Sequence, residues 1–195
     1  MFNYLTDLEI IILHRQYRQY TQDYDLKKPV WLGDTRYQLQ PESLFEGKIN
    51  IFLPAGFMDL PDETAQVKYP SGNRPHIIKT NAEQTVNFTF QFVGEIGFPL
   101  SIPVLSDEIN RSFPCSVIYD TGTFINKDLE IIWLEYKSFS IEKEVYNLLF
   151  PIMTNDAGLI LGSFNCPFTS YDIWKPCVLQ IIKSIHGKED TDERI

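Results

Sequence analysis

Apolar and polar positions along this chain alternate in twos more often than they recur in threes and fours. The clearest run is residues 85–92. Val86, Phe88, Phe90 and Phe92 fall on one side and Asn87, Thr89 and Gln91 on the other, the period of a strand with two unlike faces. Residues 48–53 alternate in the same way and stop at Pro54, which predicts a second strand. Similar patterns predict strands at 36–39, 65–69, 76–79, 116–123, 130–139, 144–154 and 159–165. Turn chemistry separates them: Pro70-Ser71-Gly72-Asn73, Asn81-Ala82 and Asn155-Asp156-Ala157-Gly158. The last of these closes a long hairpin, and the stretch 55–63 reads as a turn-rich link.

The helical period appears in three places. Leu5, Leu8 and Ile12 predict a helix over residues 3–20, followed by a polar connection over 21–36 that contains Pro29 and Gly33. A second helix is predicted from Ile102-Pro103, where proline is tolerated in a first turn, through Leu105 and Ile109 to residue 112. The third carries Tyr171, Trp174, Val178, Ile181, Ile182 and Ile185 at steps of three and four. Pro176 lacks an amide hydrogen, so the regular part of this helix is expected to begin there. Tyr171 and Trp174 then occupy an irregular lead-in turn, with Trp174 plugging the sheet. The face of Val86, Phe88 and Phe90 is expected to lie against a helix. Helix, strands, helix, strand meander, helix is the order of an α+β fold, a mainly antiparallel sheet flanked by helices. The division expected is residues 1–36 as N-terminal helix and connection, 37–187 as one α+β domain, and 188–195 as a charged tail.

Composition adds constraints on function. Aromatic residues make up 14% of the 195, with 14 Phe and 10 Tyr, which suits a sheet-rich core. The formal net charge of −9 opposes a phosphate backbone and an anionic membrane surface, so neither nucleic acid nor membrane is an expected partner. No apolar run approaches the roughly 20 residues of a membrane span. Asp7 and Glu9 beside the short run 10–13 do not resemble a signal peptide. The expectation is a cytoplasmic protein. Three widely spaced cysteines, Cys115, Cys166 and Cys177, suit small hydrophobic residues better than a disulfide framework.

Candidate chemistry is sparse. His14, His76 and His186 have no metal-ligand spacing, and no phosphate loop or nucleophile elbow is present, so no catalytic residue, metal or cofactor is expected. Asp59, Asp62 and Glu63 read as a solvated loop. The distinctive string is Tyr69-Pro70-Ser71-Gly72-Asn73-Arg74-Pro75. Two prolines stiffen a loop that presents Tyr69, Asn73 and Arg74, which makes those three the candidate partner-binding residues. The alternative is a structural turn whose Arg74 is tied down locally.

Residues 44–59, with Lys48-Ile49-Asn50-Ile51-Phe52-Leu53-Pro54 followed by Gly56, Phe57 and Asp59, resemble the opening strand and turn of the PsbP-like superfamily. Phe164-Asn165-Cys166-Pro167-Phe168, then Tyr171, Trp174 and a helix through Ser184-Ile185, resemble its close. The resemblance spans about 44–186. It is nearest to an uncharacterised bacterial group with the Tyr-Pro-Ser-x-x-Arg-Pro string. It implies an antiparallel sheet between helices, an α/β/α sandwich. The superfamily's members include a photosystem II extrinsic subunit, a Ran-binding protein and chaperones of secreted effectors, which are binders, and none supplies a catalytic residue to carry over. The function expected is therefore non-enzymatic protein binding, as an accessory or chaperone-like factor in a secretion or toxin–immunity setting. Two rivals stay open: a small-ligand binder or enzyme with a cleft lined by Tyr, Trp and Arg, and a structural subunit of a homo-oligomer. A cleft with convergent polar groups favours the ligand binder, and an exposed apolar patch favours the protein binder.

Overall fold

The computed structural model describes residues 23–187, apart from 71, 73, 96, 98, 127–128, 140–142 and 155–157. The helix predicted at 3–20, the tail 188–195 and the tip of the 155–158 turn lie outside the described residues. The elements are β1 (Val30–Leu32), β2 (Thr35–Tyr37), β3 (Leu39–Leu44), β4 (Ile49–Pro54), β5 (Met58–Asp59), α1 (Asp62–Lys68), β6 (Ile77–Thr80) and β7 (Asn87–Glu95). Then come α2 (Ile102–Ser112), β8 (Val117–Asn126), β9 (Leu129–Phe139), β10 (Glu144–Met153), β11 (Gly158–Pro167), a short 3-10 turn (Phe168–Ser170), α3 (Tyr171–Lys183) and β12 (His186–Gly187).

A seven-stranded sheet in the order β5-β6-β7-β11-β10-β9-β8 organises the molecule. Its neighbouring strands all run antiparallel. A smaller sheet, β12-β4-β3, and the β1–β2 hairpin complete the strands. The inner face of the large sheet carries Phe88, Phe90, Ile131, Leu148, Phe150 and Phe164, which pack in one core with α3 and with Ile49, Ile51 and Leu53 of β4. Val86, Phe88 and Phe90 are buried in this same core, to which α3 and the β3–β4 pair also contribute. On the outer face, Leu105 and Ile109 of α2 pack on Leu134 and Tyr136. Ala65 of α1 packs there with Leu60 and Ile78. The result is the α+β architecture expected, a mainly antiparallel sheet with helices on both faces.

Three local expectations are corrected. Residues 65–69 form the end of α1 and not a strand. Pro61 stands just before the helix, Asp62 and Glu63 sit in its first turn and Lys68 in its last, which is the charge order a helix dipole favours. The apparent alternation was accidental: Ala65 is buried while Val67 is 81% exposed. The connection 21–36 contains a hairpin, and Leu26, Val30 and Leu32 belong to the main core. Finally, α3 is regular from Tyr171, with Pro176 inside it. Proline at that place forfeits one hydrogen bond, to the carbonyl of Asp172 in the first turn. Burial outweighs the loss, because Trp174, Cys177, Val178, Ile181 and Ile182 are all buried.

Aromatic rings tie the layers together. Phe88 lies 4.9 Å from Phe164, Phe164 5.6 Å from Trp174, and Trp174 5.2 Å from Tyr37, between ring centroids. Gly162, paired with Phe150 across β10–β11, makes room for that ring: a Cβ at 162 would lie 2.2 Å from a Phe150 ring atom. Two charges interrupt this apolar interior. Glu135 follows Ile131 and Trp133 on the inward side of β9 and is 3% exposed, and Lys175 of α3 is equally buried. Lys175 Nζ lies 2.7 Å from Glu135 Oε1 and 3.9 Å from Asp120 Oδ2, while Tyr146 Oη donates to Glu135 Oε2 at 2.7 Å. Burial, and after it the Glu135 charge, push the Tyr146 phenol well above its usual value, so it stays a donor.

Two predictions follow from this core. Trp174→Ala is expected to cost roughly 3–5 kcal/mol in denaturant titration, and a loss below about 1 kcal/mol would show the ring is not core. Lys175→Met alone leaves Glu135 as an unpaired buried charge and is expected to cost roughly 3–5 kcal/mol, whereas adding Glu135→Leu recovers most of it. The same titrations on the single and double variants measure the difference.

A polar cleft and an aromatic sheet edge

The register of β7 on β11 sets Asn87 opposite Asn165 and Thr89 opposite Ser163, all on the outer face. Their side chains join across the strands. Asn87 Nδ2 donates to Asn165 Oδ1 at 2.8 Å, and the Thr89 and Ser163 hydroxyls lie 2.7 Å apart. Asn165 Nδ2 in turn donates to Tyr69 Oη at 3.4 Å. Asn87 and Thr89 are each only 4% exposed, since α1 and the chain leaving it lie over this end of the sheet.

A cleft of about 650 Å³ opens there, lined among others by Val67, Lys68, Tyr69, Asn87, Val145, Asn165 and Pro167. The β6–β7 turn supplies Glu83, Gln84 and Thr85, and the start of β10 supplies Lys143 and Glu144. Asn81 Oδ1 shapes that turn by accepting from the Thr85 and Val86 amides, each at 2.8 Å. Lys68 Nζ donates to the Gln84 carbonyl, joining α1 to the turn, and burial lowers its pKa. Asn87 Oδ1 is buried and has no hydrogen-bond partner among the described residues.

The structure places two of the three candidate binding residues, Tyr69 and Arg74, and places them differently from each other. Tyr69 does not project as a loop tip. It packs on Leu60, Ala65 and Ile78 and forms a wall of the cleft, where burial raises its phenol pKa against the lowering effect of Asn165. Arg74 is half-buried, and its Nε donates to the Tyr69 carbonyl at 3.1 Å, closing the loop on itself. Asn73 lies outside the described residues.

A second surface occupies the same end of the sheet on the inner side. Tyr119 stacks on Phe168 at 6.0 Å and Phe168 on Tyr171 at 4.9 Å. Lys137 Nζ stands 4.7 Å from the Phe168 ring centre and 4.9 Å from that of Phe139, and lies 3.0 Å from Glu144 Oε1. The Glu144 hydrogen bond raises the Lys137 pKa. Val117, Tyr119 and Phe139 are 43%, 49% and 50% exposed, which is high for side chains of this size. They border β8, the edge strand. Neither this surface nor the Asn87–Asn165 pair was singled out from sequence. The signal available for the first was Tyr119, Phe139 and Phe168 standing at strand ends, and for the second the matched polar positions of β7 and β11.

The seven-stranded antiparallel sheet, the C-terminal helix bearing Trp174 and the small β12-β4-β3 sheet together give this chain a PsbP-like fold. The chain is similar to the solution structure of cyanobacterial PsbP from Synechocystis, with a TM-score of 0.57 at 13% identity, over 81% of this chain and 97% of that one. Weaker similarities are to a Pseudomonas aeruginosa protein of unknown function and to a type VI secretion immunity protein from the same organism. The first has a TM-score of 0.45 at 10% identity over 75% of this chain and 94% of that one. The second has a TM-score of 0.42 at 12% identity over 95% and 86%. No protein-family profile matches the sequence, and no curated protein does.

The hydrogen bond from Arg74 to its own loop generates a prediction. Arg74→Ala is expected to lower the melting temperature by about 2–4 °C, the effect of roughly 1 kcal/mol in a domain of this size. A thermal melt reads it, and an unchanged melting temperature would show that the side chain has no structural part.

Proposed function

We propose that this protein is a non-enzymatic binding module that takes hold of a partner protein by strand addition at β8. The observation that carries the reading is the character of that edge. β8 runs ten residues, Val117–Asn126, at the margin of the seven-stranded sheet. Exposed edges are commonly guarded by lysine, by proline or by brevity. The opposite margin, β5, is two residues long. β8 has no Lys or Pro, and its guards are confined to a bulge between Ile118 and Asp120 and to Asp120 itself, which reaches toward Lys175 inside. A backbone lattice beside exposed Val117, Tyr119 and Phe139 suits an extended segment whose main chain pairs with β8 while alternate side chains meet the rings.

The net charge of −9 favours a basic or neutral partner strand over a second copy of this chain. The 69–75 loop, with Tyr69, Asn73 and Arg74, is proposed as a further contact at the same end of the sheet. The setting we propose is an accessory or chaperone-like role in bacterial secretion or toxin immunity, in the cytoplasm. The support for it is the PsbP-like fold together with the net negative charge. Among the described residues, no helix is long and apolar enough to cross a membrane.

Tyr119→Lys and Val117→Lys place guards on the edge but set a second ammonium beside Lys137, and each is expected to cost roughly 1 kcal/mol of stability, so binding is compared well below the melting temperature. Each is expected to weaken a captured partner at least tenfold. Hydrogen exchange on the complex is expected to show new protection of the amides of residues 117–126. Protection confined to other strands, or self-association through β8 in place of partner binding, would overturn the reading.

A further inference from the structure

The middle of the β8 edge carries a hydrogen-bond donor that the chain leaves unused. Gly122 stands opposite Trp133 in the β8–β9 pair, on the inner side of the sheet. With no side chain at 122, the Trp133 indole crosses over the edge strand. A Cβ at Gly122 would lie 2.6 Å from Cζ2, 2.7 Å from Cε2 and 2.8 Å from Nε1 of that ring. The nitrogen-bearing edge of the indole therefore stands above β8, the outermost strand at this margin. Phe124, two residues on and on the same side, holds the ring from beside, with centroids 6.1 Å apart and planes 27° apart.

Trp133 is 6% exposed. An indole N–H covered to this extent usually finds an acceptor. This one has none among the described residues. Nor is it sealed from water, as the unpartnered Asn87 Oδ1 and Ser116 Oγ are. The small part of the ring that solvent reaches thus includes the N–H.

The neighbouring groups are turned to other tasks. Asp120 Oδ1 accepts from the Thr121 amide at 2.9 Å, and Oδ2 faces Lys175 at 3.9 Å. Asn126 Nδ2 donates to the Ile185 carbonyl at 2.6 Å. A strand added to β8 sets one inward side chain beside Gly122, because cross-strand neighbours on one face stand roughly 4.5–5.5 Å apart. That side chain meets the indole edge.

We infer that Trp133 sets a sequence preference at the β8 edge: the partner residue opposite Gly122 is Gln or Asn, whose side-chain carbonyl accepts the Nε1 hydrogen. The inference rests on the strand addition proposed above. A carboxylate at that place is disfavoured by Asp120 two residues away and by the net charge of −9. An aliphatic residue covers the N–H and replaces its water with nothing. Asp120, whose side chain is 30% exposed, favours a basic residue two places along on the same face of the partner.

The probes are two extended peptides, acetyl-Thr-Val-Thr-Gln-Thr-Lys-Thr-amide and its twin with Leu in place of Gln. Each is titrated into the full chain labelled with ¹⁵N. The indole signal of Trp133 is identified by its loss in Trp133→Phe. With the Gln peptide, saturable shifts are expected at that indole N–H and at the amides of residues 117–126. The Leu peptide is expected to shift the same amides and to bind roughly tenfold more weakly. Trp133→Phe keeps a ring beside Phe124 and removes the donor, and it is expected to bind the two peptides alike while amide signals remote from β8 stay in place. Equal affinity of the two peptides for the natural chain, or a Gln preference that survives in Trp133→Phe, would overturn the role of Trp133 and leave strand addition standing. Shifts at 117–126 with neither peptide would overturn both.

Discussion

The contact between Lys175 and Glu135 constrains everything around it. Two charges removed from water are tolerable only when each finds the other, and here Lys175 Nζ and Glu135 Oε1 stand 2.7 Å apart with Tyr146 completing the carboxylate at 2.7 Å. An apolar helix stripe alone would let α3 slide along a greasy sheet with small penalties. A buried cation that must meet one carboxylate removes that freedom. Once α3 is fixed, Trp174 must fall against Phe164 and Tyr37, and Pro176 is carried into the helix by packing on either side of it. The 3-10 turn ahead of α3 then sets Phe168 between Tyr119 and Tyr171. The position of the aromatic edge is thus inherited from a pair of charges in the interior.

The sheet was largely legible in the sequence because its signal is local. Period two over residues 85–92, proline at 54 and the turns at 81 and 155 needed only neighbours to be read. The failures were equally local in cause. Residues 65–69 are too few to separate a period of two from one of 3.6, and the acidic first turn at Asp62 and Glu63 carried the deciding information. Residues 21–36 looked like a connection because polar residues outnumber Leu26, Val30 and Leu32, although those three are buried in the core. The rule for Pro176 was sound as a cost, and burial of the surrounding side chains exceeded it.

The site was harder to read because its parts are remote in sequence. Asn87 and Asn165 meet through the β7–β11 register, which no single strand displays. Their polarity marked the side away from the apolar core, and it gave no hint that α1 would cover them. Tyr69 was read as the start of a stiff loop, and the structure sets it as a wall of the cleft. Glu135 and Lys175 are each a charge in an apolar series, and neither was singled out from the sequence. Only the folded chain shows that the two exceptions answer each other.

The bare margin at β8 has a consequence for the behaviour of the protein in bulk. With no lysine or proline along the strand, only the bulge between Ile118 and Asp120 and the inward-turned Asp120 interrupt the ladder that two such edges would form. What remains is mutual repulsion, since every copy carries a formal charge of −9. That defence is colloidal and depends on the solvent: it reaches about 10 Å at 0.1 M salt and only about 3 Å at 1 M. Near the sequence isoelectric point of about 4.8 it vanishes. Dispersal of this chain is therefore entrusted to its ionic surroundings, where most sheet proteins build it into the strand.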